Sequence, residues 1–245
     1  MKRTVLTVQK NEPIAKNVWK MTLSGDLSGI ERPGQFVNLR LDGFYLRRPI
    51  SVCDKEGDAL TLIYKTVGDG TRAMTDYGEG KEIDCLVGLG NGYDEKDAGD
   101  RPLLVGGGVG VPPLFWLARR LIAEGKKVAA ILGFNTRDEV FYEDEFRALG
   151  CNVAVTTVDG SYGTKGFVTD ALSGFDFTYL YACGPEPMLR ALYRVAKVGG
   201  QFSFERRMGC GFGACMGCTC KTIAGNKRIC REGPVLKREE ILWED

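Results

Sequence analysis

From the N-terminus to about residue 98, apolar and polar positions alternate in short runs. Residues 4–8, 18–23, 35–41, 46–52, 60–65 and 82–87 carry β-branched or aromatic residues, several with a period of two. Turn signals separate them: Ser24-Gly25-Asp26, Pro33-Gly34, Asp42-Gly43, Lys55-Glu56-Gly57-Asp58 and Gly78-Glu79-Gly80. Six strands at this spacing predict a small antiparallel barrel over residues 1–98.

The rhythm then changes. Leu103-Leu104-Val105 runs into Gly106-Gly107-Gly108-Val109-Gly110, and from Pro112 the residues Leu114, Leu117, Ala118, Leu121 and Ile122 recur at helical spacing. Strands are predicted over 128–134, 153–158 and 178–182, with helices over 142–149, 168–172 and 185–195. Strands alternating with helices imply an α/β domain with a parallel sheet over 99–200, whose ligands gather at the C-terminal ends of the strands. Residues 201–245 remain as a small C-terminal module, making the chain an α+β multidomain protein.

That module holds the sharpest chemical signal. Cys210, Cys215 and Cys218 follow C-x4-C-x2-C spacing, with Cys230 eleven residues further on, the arrangement of a plant-type [2Fe-2S] site. Gly209, Gly211, Gly213 and Gly217 let such a loop wrap an inorganic cluster and aim N–H groups at its sulfides. Zinc is the competing reading, but structural zinc sites pair two Cys-x2-Cys knuckles, and only Cys215 and Cys218 form one here. Cys220 is an alternative to Cys218 as a ligand; the spacing favours Cys218. Cys53, Cys85, Cys151 and Cys183 are scattered singly, and for most of them a buried small hydrophobe is the expected role.

Composition narrows the rest. With 33 basic and 32 acidic residues in 245, the net charge is +1, which points to neither a nucleic acid nor an anionic membrane as partner. No apolar run reaches the roughly 20 residues of a membrane span. The chain opens MKRTVLTVQKN without an apolar leader, and its nine cysteines are an odd number for a secreted disulfide framework, so a cytoplasmic protein is expected. Histidine is absent. Hydrolysis by Ser-His or Cys-His pairs is thereby excluded, and bound cofactors must carry the chemistry.

The glycine run after residue 105 fails the full G-x-G-x-x-G pattern and is by itself compatible with a plain tight turn. Cys183-Gly184-Pro185 repeats the arrangement at another strand-to-helix junction, however, so two glycine loops can open on one face and hold a pyrophosphate. In the barrel, Arg47-Arg48-Pro49-Ile50-Ser51 offers a planar donor for a diphosphate beside a hydroxyl. Gly68-Asp69-Gly70-Thr71, ahead of a helical stretch over 72–77, adds further N–H donors. The pair is compatible with a flavin dinucleotide.

Taken together, Arg48-Pro49-Ile50-Ser51, Gly70-Thr71, Gly106–Gly110 with Pro112-Pro113, Cys183-Gly184-Pro185 and the four cysteines resemble the ferredoxin-reductase-like superfamily along essentially the whole chain. Within it, Glu205-Arg206-Arg207-Met208-Gly209-Cys210-Gly211 and Arg228-Ile229-Cys230-Arg231-Glu232-Gly233-Pro234-Val235 resemble the electron-transfer subunits of class 1B, NAD-dependent dihydroorotate dehydrogenases. The resemblance implies an FAD site of Arg48, Pro49, Ile50, Ser51, Ile63, Tyr64, Lys65, Gly70 and Thr71. It implies an NAD site including Gly107, Gly108, Gly110 and Gly184, with Cys183 beside the nicotinamide. Where the superfamily often stacks a tyrosine on the flavin ring this chain has Ile50, so that contact is expected to be missing. Asp159-Gly160-Ser161 stands where NADP-dependent relatives tend to place a serine and an arginine; an acidic residue there disfavours a 2′-phosphate and favours NAD.

Electron counting supplies the partner. NAD takes a hydride and a [2Fe-2S] cluster takes single electrons, so a flavin must stand between them. A barrel, a sheet domain and a cluster module use up the length, leaving no room for a dihydroorotate site. The resemblance therefore implies an FMN-containing catalytic subunit as partner, as a heterotetramer of two copies of each chain, working in pyrimidine (UMP) biosynthesis. Three readings compete: a subunit of an NAD(P)H:ferredoxin oxidoreductase or a hydrogenase or sulfite-reductase gamma-type chain, a stand-alone flavin reductase, and a non-enzymatic zinc-bound nucleotide sensor.

Overall fold

A computed structural model of the chain describes residues 1–243, so positions 244 and 245 of the predicted C-terminal module lie outside the described residues. All six predicted barrel strands form: β1 (Lys2–Ala15), β2 (Val18–Gly25), β3 (Phe36–Leu39), β4 (Arg48–Glu56), β5 (Ala59–Lys65) and β6 (Glu82–Leu89). They close in the order β1-β2-β5-β4-β3-β6. The first strand runs well past its predicted end at residue 8. Bulges between Val8 and Lys10 and between Pro13 and Ala15 let it bend while it stays paired with β2, a continuation that its polar residues 9–13 conceal. Leu6, Met21, Leu23, Val37, Leu39 and Leu62 fill the barrel from alternate positions of successive strands.

The helical stretch predicted over 72–77 starts earlier, as α1 (Asp69–Ala73), and ends in a 3-10 turn, Met74–Asp76. The signal was masked because Gly68, Asp69 and Gly70 read as turn residues. The Thr71 hydroxyl accepts from the N–H groups of Val67 (2.9 Å) and Gly68 (3.2 Å) and so anchors the entry to the helix.

The second unit follows its predicted alternation: β7 (Pro102–Gly107), α2 (Pro112–Ala123), β8 (Ala129–Phe134), α3 (Glu143–Ala148), β9 (Asn152–Thr157), β10 (Thr164–Lys165), β11 (Tyr179–Cys183) and α4 (Glu186–Val195). The predicted helix at 168–172 is a 3-10 segment, Val168–Gly174, whose Asp170 carboxylate accepts from the Phe167 N–H at 2.8 Å. The sequence pattern predicts no strand beyond residue 182. The structure adds β12 (Gly200–Ser203), the hairpin β13 (Thr219–Thr222) with β14 (Gly225–Arg228), and β15 (Val235–Lys237). These are three or four residues each, too short for periodicity to register. The sheet order is β10-β9-β8-β7-β11-β12-β15, parallel except for the antiparallel β15.

Helix α2 joins the two units. Its Leu114, Leu117 and Leu121 pack under the sheet, while Trp116 is buried among barrel residues. Arg119 donates from Nη2 to Asp54 Oδ1 (2.5 Å) and to the Lys55 carbonyl (2.7 Å) at the end of β4, and Lys65 at the end of β5 pairs with Glu139 at 2.8 Å. The barrel is therefore fixed against the sheet at the strands that carry its candidate cofactor residues. Among the described residues, no helix is long and apolar enough to cross a membrane.

Candidate cofactor sites and cysteine centre

Strand β4 and helix α1 are distant in sequence, and the fold brings them into contact. A Cβ placed on Gly70 would lie 2.3 Å from Arg48 Nε, so the guanidinium lies flat against the first turn of α1, and only glycine admits it there. Arg48 also stacks over the Phe44 ring at 5.0 Å and donates to the Leu46 carbonyl at 2.5 Å. A guanidinium held on one side, next to helix N–H groups that lack intrahelical acceptors, is suited to a diphosphate. Pro49, Ile50 and Ser51 follow along β4, each half-buried, with Ile50 packing partly on the barrel interior. The remaining three flavin candidates have committed side chains. Ile63 and Tyr64 are buried, the Tyr64 hydroxyl donates to Asn11 Oδ1 at 3.1 Å, and Lys65 is paired with Glu139. They have only backbone groups to offer a cofactor.

The two glycine loops meet at the switch point of the sheet. The chain leaves β7 toward β8 on one side and returns to β11 on the other, so the loops following β7 and β11 open side by side. Their approach is close: a Cβ on Gly110 would lie 2.2 Å from the Cys183 carbonyl oxygen, and one on Gly107 2.6 Å from Met188 Sδ. Gly108 has a φ of +53° over open space. Gly107, Gly110, Cys183 and Gly184 are thus brought together at the ends of the two strands, with Gly108 beside them. A cleft of about 360 Å3 continues from Gly184 and Pro185 past Glu186 to Phe204, Glu205, Arg206 and Arg207.

Cys183 is buried at the end of β11, next to Ala182, whose carbonyl accepts from the Tyr93 hydroxyl at 3.4 Å, and across from Ser203 of β12. Burial pushes its thiol up to about 12. At neutral pH it is an uncharged thiol, which suits a neighbour of a nicotinamide and not a thiolate nucleophile. Neither Ser203 nor Tyr93 stood out in the sequence. Tyr93 is placed by its edge-on contact with Tyr181 (5.6 Å, 88°) and by Gly34, whose positive φ of 86° brings its backbone against the ring.

Asp159 lies on the surface just past β9, where its Oδ1 accepts from the N–H (2.9 Å) and hydroxyl (2.6 Å) of Ser161. These bonds, the Ser161 hydroxyl foremost, hold its carboxyl below the usual range. Ser161 Oγ in turn accepts from the Arg137 N–H at 2.8 Å, and the Arg137 guanidinium stacks on Tyr162 at 5.5 Å. Arg137 was not anticipated, since it follows a different strand.

The cysteines meet as two pairs. Cys215 turns its N–H to Cys210 Sγ, and Cys230 turns its N–H to Cys218 Sγ. Cys210 Sγ accepts from the N–H groups of Ala214 (3.3 Å) and Cys215 (3.4 Å), and Cys218 Sγ from that of Cys230 (3.4 Å). Positive φ angles at Gly211 (77°), Gly213 (93°) and Met216 (61°) curl the loop so that these N–H groups point inward. Among the described residues, no three Cys, Asp or Glu side chains converge on a single ion position. Two pairs of thiols suit a binuclear cluster, with two ligands per iron. The first pair is the more open, with Cys215 exposed; Cys218 and Cys230 are each 2% exposed. Cys220 stands apart on β13, its Sγ 3.9 Å from Arg206 Nη2, and Arg206 bridges it to Glu186 of α4.

Asn38 on β3 ties this loop to the barrel, its Nδ2 donating to the Cys210 carbonyl at 3.2 Å. Arg228 holds it from the other side, donating to the Gly213 carbonyl at 2.7 Å and gripping Glu232. Asn38 carried no sequence signal, because an Asn in a strand is ordinary, whereas Arg228 opens the run Arg228–Val235 that carries the resemblance. Of the aromatic and methionine residues near the module, Phe202 and Phe204 are core and Met208 is half-buried, whereas Phe212 and Met216 are exposed beside Cys215.

Comparisons with known proteins agree with this layout. Residues 205–242 match the family described as the iron-sulfur cluster binding domain of dihydroorotate dehydrogenase B, and residues 104–194 match the oxidoreductase NAD-binding domain. The chain is 44% identical, over 99% of its own length and 99% of the relative's, to the "Dihydroorotate dehydrogenase B (NAD(+)), electron transfer subunit" of Geobacillus sp. (strain WCH70). It is 45% identical to the protein of the same description from Bacillus cereus (strain G9842), over 98% of each. Among solved structures, a chain of the NADH-dependent reduced ferredoxin-NADP oxidoreductase superposes with a TM-score of 0.89 at 32% identity, covering 98% of this chain and 90% of that one. Phthalate dioxygenase reductase shares the fold, with a TM-score of 0.68 at 19% identity over 90% of this chain and 87% of that one.

Proposed function

Since the chain belongs to the family of dihydroorotate dehydrogenase B electron-transfer subunits, we propose that it carries electrons from dihydroorotate, oxidised at the FMN of a separate catalytic chain, to NAD. In this reading residues 1–98 hold FAD, 99–200 hold NAD and 201–245 hold a [2Fe-2S] cluster, in a cytoplasmic complex of two copies of each chain that serves pyrimidine (UMP) synthesis. The observation that carries it is the contact between Asn38 and Cys210, which seats the cysteine loop on the strand next to the one bearing Arg48–Ser51.

When bound, the cluster handles single electrons and FAD exchanges them for the pair that NAD requires. The chain's own residues bind, orient and insulate. Arg48 and the start of α1 hold the diphosphate of FAD, and Ser51 stands further along the same strand. The loops after β7 and β11 hold the NAD pyrophosphate, with the neutral Cys183 thiol at the nicotinamide. The four cysteines hold the cluster with one pair facing outward, and the exposed Phe212 and Met216 mark the side on which the catalytic chain docks. No proton carrier is needed beyond the cofactors, consistent with a sequence that contains no histidine.

The test is separation of the subunits. The isolated chain, loaded with FAD and cluster, should oxidise NADH with ferricyanide as acceptor and leave dihydroorotate untouched; adding the catalytic chain should switch on dihydroorotate-dependent NAD reduction. Turnover of dihydroorotate by the isolated chain would defeat the proposal. Relatives at 44–45% identity, against 32% for the ferredoxin-linked chain, favour dihydroorotate as the electron source over ferredoxin.

Nucleotide choice gives a second test. Asp159 presents a full negative charge beside Arg137 and Ser161, groups that would otherwise suit a phosphate. Asp159→Asn keeps the oxygen that accepts from Ser161 and removes the charge. It should raise kcat/KM for NADPH relative to NADH by about tenfold. An unchanged ratio would place the 2′-position of the ribose elsewhere.

A further inference from the structure

Strand β3 reads Phe36-Val37-Asn38-Leu39, and all four residues are buried. Asn38, at 1% exposure, is the polar exception, and its carboxamide is only half satisfied. Nδ2 donates to the Cys210 carbonyl, which can only accept, so the orientation of the amide is fixed. Oδ1 is buried and has no hydrogen-bond partner. A buried acceptor left without a donor is unfavourable, and native chains rarely keep one unless something outside the chain supplies the donor.

The register of the barrel says which side the oxygen serves. Asn38 lies directly across from Pro49, and Phe36 from Ser51, so these four side chains share one face of the β3–β4 pair. Asn38 is therefore a diagonal neighbour of Ser51, on the strand assigned to the flavin, and at the same time touches the first cluster cysteine. The approach is tight: a Cβ on Gly211, whose φ is +77°, would lie 2.3 Å from Asn38 Nδ2.

We propose that Asn38 is a two-sided positioning residue, its amide N–H fastening the cluster loop through the Cys210 carbonyl and its amide oxygen accepting a hydrogen bond from an N–H of the bound flavin ring. The proposal rests on the reading that FAD lies along Arg48–Ser51. One carboxamide then fixes both cofactors relative to a single strand, and loosening it loosens both.

Two substitutions separate the two sides. Asn38→Leu removes donor and acceptor, and should weaken FAD binding, measured by fluorescence quenching on titrating FAD into flavin-stripped, cluster-loaded protein, by about three- to tenfold. It should also speed the bleaching of the cluster absorbance in air. Asn38→Asp keeps an acceptor for the flavin and removes the donor to Cys210: FAD affinity should stay within about threefold of the parent chain while the cluster still bleaches faster. Gly211→Ala pushes on the amide from the cluster side and should reproduce both losses, which covers the case in which Asn38→Leu fails to fold. Unchanged FAD affinity in both Asn38→Leu and Gly211→Ala overturns the proposal, as does equal weakening by Asn38→Leu and Asn38→Asp. If the unsubstituted chain takes up no FAD, the underlying reading of the barrel fails, an outcome distinct from either.

Discussion

Replacing Cys218 by serine should abolish the cluster, read as loss of both the visible absorbance and the EPR signal of the dithionite-reduced protein, whereas Cys220→Ser should leave both intact. The two residues are two positions apart, with only Thr219 between them, yet the fold separates their roles. Cys218 is buried against Cys230, and its sulfur accepts the Cys230 N–H, so a shorter and harder oxygen there loses both the soft ligand and the N–H···S bond. Cys220 has moved onto β13 and spends its sulfur on Arg206. Cys210→Ser, Cys215→Ser and Cys230→Ser should behave as Cys218→Ser. An intact reduced-cluster signal in Cys218→Ser, or its loss in Cys220→Ser, would reassign the third ligand.

The same contrast shows what the sequence could and could not convey. Ligand spacing, strand alternation and the two glycine junctions are local quantities, set within a few residues, and they placed the barrel, the sheet and the four cysteines. Cys220 was ambiguous because spacing alone does not record where a hairpin begins. Asn38, Tyr93, Ser203 and Arg137 were silent for a different reason: each meets a partner far away in the chain, as when Asn38 donates to the Cys210 carbonyl or Tyr93 to that of Ala182. Their residue types are common in strands and turns, and only the closure of the barrel and the order of the sheet give them a role. Ile63, Tyr64 and Lys65 show the reverse, since the resemblance assigned them to FAD while the fold commits their side chains to the core, to Asn11 and to Glu139.

The largest effect outside the cluster is expected at Arg48. Arg48→Ala should weaken FAD binding by about 100-fold, since a diphosphate would lose two charge-assisted hydrogen bonds at about 1.5–3 kcal/mol each, partly replaced by water. Two features make arginine hard to replace. It rests over the Phe44 ring and against the glycine backbone of α1, so the guanidinium reaches the site with little freedom left to lose. Lysine in its place keeps the charge without the planar pair of donors or the stacking, and Arg48→Lys should recover only part of the affinity. Gly70→Ala provides the complementary test, because its added methyl occupies the position of the guanidinium and should cost FAD affinity with Arg48 still present. In all three variants the cluster signal should persist, as Cys210 is seated through Asn38 and not through Arg48. Equal FAD affinity in Arg48→Ala and the parent chain, measured by titration of flavin-stripped protein, would remove the diphosphate from this strand and with it the assignment of the barrel.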